Sequence, residues 1–161
     1  MNMLPRCLQY LTLHETPHSH SIHSPAFTAR EVAAAECMPA HNLAKVVVYH
    51  GDSGYGLLVV SADSIVDFGE VRRLLGLREV RLASEPELIG LFPDCDLGAM
   101  PPFGNIFEMP VLLDEGIATA DFMAFTAGTH QDVIHMRVSD FRTLVNPLVA
   151  AFALRIPALT F

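Results

Sequence analysis

Leu43-Ala44-Lys45-Val46-Val47-Val48-Tyr49-His50-Gly51-Asp52-Ser53-Gly54-Tyr55-Gly56-Leu57-Leu58-Val59-Val60-Ser61-Ala62 carries the pattern that decides the fold. Two apolar runs rich in β-branched residues flank a Gly-Asp-Ser-Gly turn. The stretch therefore predicts strands over Leu43 to His50 and Tyr55 to Ala62, joined as an antiparallel hairpin. Period-two alternation places Leu43, Lys45, Val47 and Tyr49 on one face of the first strand, and Ala44, Val46, Val48 and His50 on the other. Lys45 is the single lysine of the 161-residue chain. Apolar neighbours flank it on its own face, a position suited to the lip of a pocket.

Upstream of the hairpin, residues 7–14 read as a strand with imperfect alternation. A polar stretch with His14, His18, His20 and His23 follows. Thr28-Ala29-Arg30-Glu31 is a capping-box pattern that opens an Ala-rich helix to about Cys37, stopped by Pro39. Downstream, Asp67 to Glu70 opens a helix that ends at Gly76. Glu79 to Ala83 is a short strand, and Ser84-Glu85-Pro86-Glu87 starts a helix to about Phe92. Phe107 to Leu113, Ile117 to Ala120, Phe122 to Ala127 and Asp132 to Val138 read as strands, and Ser139 as the cap of a last helix to about Val145. The order implies an α+β fold, a mixed, mainly antiparallel sheet curled into a barrel with surrounding helices. It fits one domain over residues 1–161. No Gly-rich loop joins a strand to a helix in the dinucleotide or P-loop manner.

The net charge of −8 excludes a protein that grips nucleic acid through bulk electrostatics, because that affinity comes from Lys and Arg releasing counterions. Arg72, Arg73, Arg78 and Arg81 form the one basic cluster, which reads as a solvated helix and its flank. No run of about 18 apolar residues predicts a membrane span, and no signal peptide is evident. Cys7, Cys37 and Cys95 are odd in number and lack metal-ligand spacing, which fits a reducing, cytoplasmic compartment.

Two further stretches stand out. Leu97-Gly98-Ala99-Met100-Pro101-Pro102-Phe103-Gly104 has neither helical nor strand period. Two prolines stiffen it and two glycines let the backbone turn or approach a ligand, so its remaining N–H groups point in fixed directions. Ala127-Gly128-Thr129-His130 is a small-residue turn that presents His130 at a strand end. Other candidates are weaker. The N-terminal histidines fit no tetrahedral metal site. Asp94, Asp96, Asp114 and Glu115 sit at a helix end and a turn, where acidic residues serve local needs. Nothing local activates Cys37 or Cys95, and Ser61, Ser84 and Ser139 lie outside any G-x-S-x-G pattern. His135, mid-strand, reads as structural.

The lone lysine in Leu43 to Val48, the Gly98 to Gly104 loop and the Gly-Thr-His turn, in this order and spacing, resemble the YbaK/prolyl-tRNA-synthetase-associated domain family over about residues 22–153. The resemblance implies an aminoacyl-tRNA deacylase that hydrolyses the ester of a mischarged tRNA carrying a small amino acid. It implies a catalytic set of Lys45, Gly98 and His130, with Lys45 holding the substrate near its terminal adenosine. Ala99, Met100, Pro101, Pro102, Phe103 and Gly104 would face the ester and the amino-acid side chain, and Gly128 and Thr129 would help line the aminoacyl pocket. No metal or cofactor is implied. The partners are the 3′ acceptor end of aminoacyl-tRNA and an aminoacyl-tRNA synthetase. Val46 and Thr129 stand where some members carry Asn, which motivates an alternative: a catalytically silent module that binds such 3′ ends or a synthetase.

Overall fold

The computed structural model describes residues 3–156. The hairpin forms as the alternation requires: β2 (Ala44–Gly51) and β3 (Gly54–Ser61) pair antiparallel, with Lys45 opposite Val60 and Gly51 opposite Gly54. It is the centre of a five-stranded sheet completed by β5 (Val80–Leu82), β6 (Val111–Asp114) and β9 (Leu148–Ala150), in the order β5-β2-β3-β6-β9. The β3–β6 and β6–β9 pairs are parallel. A second, antiparallel sheet has the order β1-β8-β7, from β1 (Ser19–Ile22), β8 (Asp132–Arg137) and β7 (Phe122–Thr126). β4 (Ser64–Val66) and β10 (Ala153–Arg155) form a separate pair. One bridge, Leu43 to Ala124, joins the two larger sheets. The mixed, mainly antiparallel α+β architecture is as expected. Among the described residues the strands make three sheets, and no closed barrel is found.

The two faces of β2 divide as read from the sequence. Ala44, Val46 and Val48 face the main core, with Leu57 and Val59 of β3, Phe125 and Ile134 of the second sheet, and Met100 and Phe103. Val47 and Tyr49 face Leu58, Val60, Leu112 and Phe152 under Val71 of α3 (Phe68–Leu75). The caps at Thr28, Asp67 and Ser84 form as their patterns dictate. Each side chain accepts a backbone N–H three residues on, for α2 (Ala29–Ala35), α3 and α4 (Glu85–Leu91).

Several local expectations are corrected. Residues 7–14 do not form a strand; they belong to α1 (Met3–Leu13), which buries Met3, Cys7 and Leu11 at four-residue spacing. Pro5 is tolerated there because first-turn N–H groups have no helical partner. The strand expected from Phe107 begins only at Val111. Before it, α5 (Gly104–Phe107) ends at Glu108, whose φ is 55°. Ile117 to Ala120 is no strand: Ile117 and Ala118 end α6 (Glu115–Ala118), nucleated by the Asp114 carboxylate accepting the Gly116 N–H at 3.0 Å, and Thr119 is its C-cap. The last helix, α7 (Val138–Val145), contains Ser139 and is not capped by it. The His-rich stretch is partly strand, β1, and the apolar tail carries β9 and β10. Among the described residues no helix is long and apolar enough to cross a membrane.

Candidate functional site

Asp96 to Ala99 form a tight turn, closed by the Ala99 N–H donating to the Asp96 carbonyl at 3.0 Å. Gly98 takes its third position with φ +85°, a conformation that favours glycine. After it the chain dives inward: Ala99, Met100, Pro101, Pro102, Phe103 and Gly104 are all buried. Phe103 is the anchor, fully enclosed and edge-to-face with Phe125 at 5.1 Å. A Phe buried this completely contributes roughly 1.5–3 kcal/mol. Gly98 itself stays at the surface.

The Gly128 to His130 turn is laced to this loop. The Gly128 N–H donates to the Ala99 carbonyl at 2.8 Å, and the Asp96 N–H donates to the Gly128 carbonyl at 2.7 Å. The His130 N–H donates to the Asp96 carboxylate at 3.2 Å. Gly128 has φ +93°, and a Cβ there would stand 2.6 Å from Cβ of Met3. A Cβ on Gly98 would stand 3.9 Å from Cε1 of His130, so the two lie side by side. Among the described residues the N–H groups of Gly98 and Met100 donate to no protein acceptor. A cavity of about 60 Å³ borders the loop, lined by Leu88, Phe92, Cys95, Leu97 and Met100 among others.

Thr129 is committed to the turn. Its hydroxyl donates to the Asp132 carboxylate at 2.6 Å and accepts the Gln131 and Asp132 N–H groups, so it builds the turn. The other Asp132 oxygen lies 2.7 Å from Nε2 of His20.

Lys45 stands apart from the loop. It is half-buried, on the face of β2 opposite Ala44 and Val46, and among the described residues its ammonium makes no hydrogen bond or ion pair. Burial pulls its pKa below the ordinary lysine value. The Arg30 guanidinium acts the same way, and the Asp63 carboxylate opposes both. Asp63 is itself buried, 3.0 Å from Nε of Arg155 and 3.4 Å from Nδ1 of His41. That His41 nitrogen is buried and lies within ion-pair distance of Asp63 without hydrogen-bond alignment. Lys45 and the loop are connected through one segment. The His23 N–H donates to the Gln131 carbonyl at 3.0 Å, and the Ala26 N–H to the His130 carbonyl at 3.4 Å. The Phe27 ring lies 5.1 Å from that of His130, and α2, which begins two residues later, carries Arg30 toward Lys45.

The weaker candidates resolve into structural parts. Asp114 accepts the Phe152 and Ala153 N–H groups as well as that of Gly116. The Ser61 hydroxyl donates to the His41 carbonyl. Burial pushes the thiols of Cys7 and Cys95 up to about 12, each helped by the other Cys or by Asp94, so neither is a ready nucleophile. Ser21, His135 and Glu36 form a triangle, but Ser21 and Nε2 of His135 address the same Glu36 oxygen, which is a clamp rather than a proton relay. Among the described residues no three His, Cys, Asp or Glu side chains gather as a metal site. Phe27 and Asp63 were not singled out by the sequence, and Asp96 was read there only as an acidic residue serving a local need. Each sits in a turn or cap segment whose composition is ordinary, and only the tertiary contacts distinguish it.

The chain is similar over 92–96% of its length to several solved structures. One was described as a candidate trans-editing enzyme for prolyl-tRNA synthetase, with 23% identity, 98% of that chain covered and a TM-score of 0.83. Another was described only as hypothetical, with 16% identity over 92% of this chain and 99% of that one, and a TM-score of 0.85. A third, a candidate signal-transduction protein from Marinobacter aquaeolei VT8, is 19% identical with a TM-score of 0.74; there 94% of this chain matches 31% of the other. These likenesses establish the fold. No curated protein matches the chain closely in sequence. The model of the aminoacyl-tRNA editing domain matches residues 23–144, a span that includes Lys45, the Gly98 loop and His130. The chain belongs to the aminoacyl-tRNA editing domain family.

Proposed function

We propose that the protein is a trans-acting aminoacyl-tRNA deacylase that clears a small amino acid from a mischarged tRNA in the cytoplasm. The observation that carries this reading is the lacing of the Gly98 loop to the His130 turn, which holds two unclaimed N–H groups on a rigid backbone beside an imidazole. An aminoacyl ester is already activated, so its hydrolysis needs a positioned water and a stabilised oxyanion more than a strong base. Water adds to the carbonyl carbon and the negative charge moves to the carbonyl oxygen. The N–H groups of Gly98 and Met100 receive that oxyanion, worth roughly 2.7–4 kcal/mol per donor. The intermediate collapses with cleavage of the ester C–O bond, and the ribose 3′ oxygen leaves with a proton. The vicinal ribose hydroxyl orders the water, which agrees with the unreactive thiols and the structurally committed carboxylates.

Lys45 fixes the terminal phosphate or ribose region. Among the described residues its ammonium has no hydrogen-bonded partner; burial and Arg30 disfavour its charge and Asp63 only partly offsets them, so an incoming anion would supply the missing counter-charge. The small, mostly apolar cavity beside Met100 supports a small side chain as the group accepted. A synthetase is proposed as the partner that delivers the tRNA. The test is a panel of mischarged tRNAs. Hydrolysis of at least one is expected, falling by orders of magnitude in Lys45→Ala. A complete panel left intact by folded wild-type protein overturns the reading, and binding of a non-hydrolysable aminoacyl-adenosine analogue without turnover would replace it with the silent binding module.

A further inference from the structure

Phe27 is a large aromatic side chain left 71% exposed, and it is held firmly. On one side Ala26 is buried and hydrogen-bonded to His130; on the other Thr28 caps α2. Pro25 limits the approach from upstream. The backbone that carries the ring is therefore fixed relative to the His130 turn. The ring centroids of Phe27 and His130 are 5.1 Å apart with planes at 59°, too close to admit a third ring between them. Among the described residues the other exposed phenylalanine, Phe122, differs: the Arg137 guanidinium covers it at 5.6 Å.

We infer that Phe27 is the platform on which the nucleobase of the aminoacylated terminal nucleotide stacks. The inference rests on the deacylase reading for its ligand, and on Phe27's own surroundings for its place. Unpaired bases at RNA ends are recognised by stacking on aromatic side chains, because every base offers a π face. The surroundings match a nucleotide. The platform adjoins the imidazole and the turn beside which the ester is cleaved, and three residues along the chain is Arg30, whose charge reaches Lys45. Base, ester and phosphate would thus meet Phe27, the Gly98 loop and Lys45 in turn. A stacked base also answers how an acidic protein selects an RNA end: it recognises one nucleotide by shape, with few cations.

The chain contains no tryptophan, so Phe27→Trp creates a single fluorescent reporter at the platform. Saturable quenching of that variant by adenosine monophosphate, with ribose 5-phosphate inert, is the expected result. Equal quenching by both, or none in a protein whose circular dichroism matches wild type, overturns the inference. On aminoacyl-tRNA, Phe27→Ala should lose roughly ten- to a hundredfold in kcat/KM, mainly through KM, and Phe27→Tyr should restore it. Loss confined to kcat, or no loss, overturns it as well. The two readings fail separately. Quenching by the nucleotide without any hydrolysis by wild type leaves the platform standing and removes the deacylase; hydrolysis insensitive to Phe27→Ala does the reverse.

Discussion

Gly98 and His130, 32 positions apart in sequence, lie so close that a Cβ on the glycine would touch the imidazole edge at 3.9 Å. That distance is ordinary contact, so Gly98→Ala has room for its methyl group. What it lacks is an easy backbone: φ at this position is +85°. An alanine held there costs about 1–2 kcal/mol, or the turn relaxes and its N–H groups swing away. The expected outcome is a fall in melting temperature of a few degrees with a disproportionate, at least tenfold (order of magnitude), loss of deacylation. A variant that loses stability but keeps its full rate would show that the loop backbone does not hold the oxyanion. Deacylation rates and thermal unfolding on the same preparation decide it.

The hairpin around Lys45 was legible because its signal is local: alternation, β-branching and a polar turn all lie within twenty residues. The caps at Thr28, Asp67 and Ser84 were legible for the same reason. α1 was misread because Cys7-Leu8-Gln9-Tyr10-Leu11 satisfies a weak strand pattern while its helical period, Met3, Cys7 and Leu11, becomes visible only when the upstream residues are counted. β1 was missed because Ser-His-Ser-Ile is a short polar edge strand with no apolar alternation to announce it. The loop and turn motifs pointed to Gly98 and His130, and the fold lays them side by side. Lys45 proved to lie on the far face of β2, joined to them through Phe27 and Arg30, a relation set by the packing of α2 on the junction of two sheets. Nothing in the composition of that segment encodes it.

The cysteines give a prediction that separates ester hydrolysis by a bound water from thiol catalysis. Cys37 is exposed, whereas burial holds Cys7 and Cys95 protonated with pKa values of about 12. An aromatic disulfide reagent at neutral pH should therefore titrate one thiol quickly in the folded protein and the remaining two only on unfolding. Deacylation should survive modification of Cys37, and Cys95→Ser should retain most of the wild-type rate. Rapid inactivation that tracks labelling of Cys95 would contradict both the burial and the mechanism.

Glu36 ties the end of α2 to the second sheet, and its charge makes that tie depend on pH. Burial alone would raise its pKa. Hydrogen bonds from Ser21 and His135, with the positive potential of His135 and His23, pull it below the ordinary carboxylate value of 4.5 instead. A carboxyl whose folded pKa is depressed stabilises the fold fully above its unfolded value, and the contribution fades as pH falls through the folded one. Glu36→Gln removes the charge while keeping the shape, and leaves Ser21 and His135 with a weaker acceptor, at a cost of roughly 1–3 kcal/mol near neutral pH. The difference in melting temperature between wild type and variant should be several degrees at pH 7 and should shrink steadily below pH 4.5. Because Arg30 lies in the first turn of α2 and Phe27 just before its cap, the same variant should raise KM for aminoacyl-tRNA more than it lowers kcat. A pH-independent stability difference would mean that the carboxyl acts only as a neutral hydrogen-bond acceptor, and an unchanged KM would mean that α2 keeps its place without the clamp.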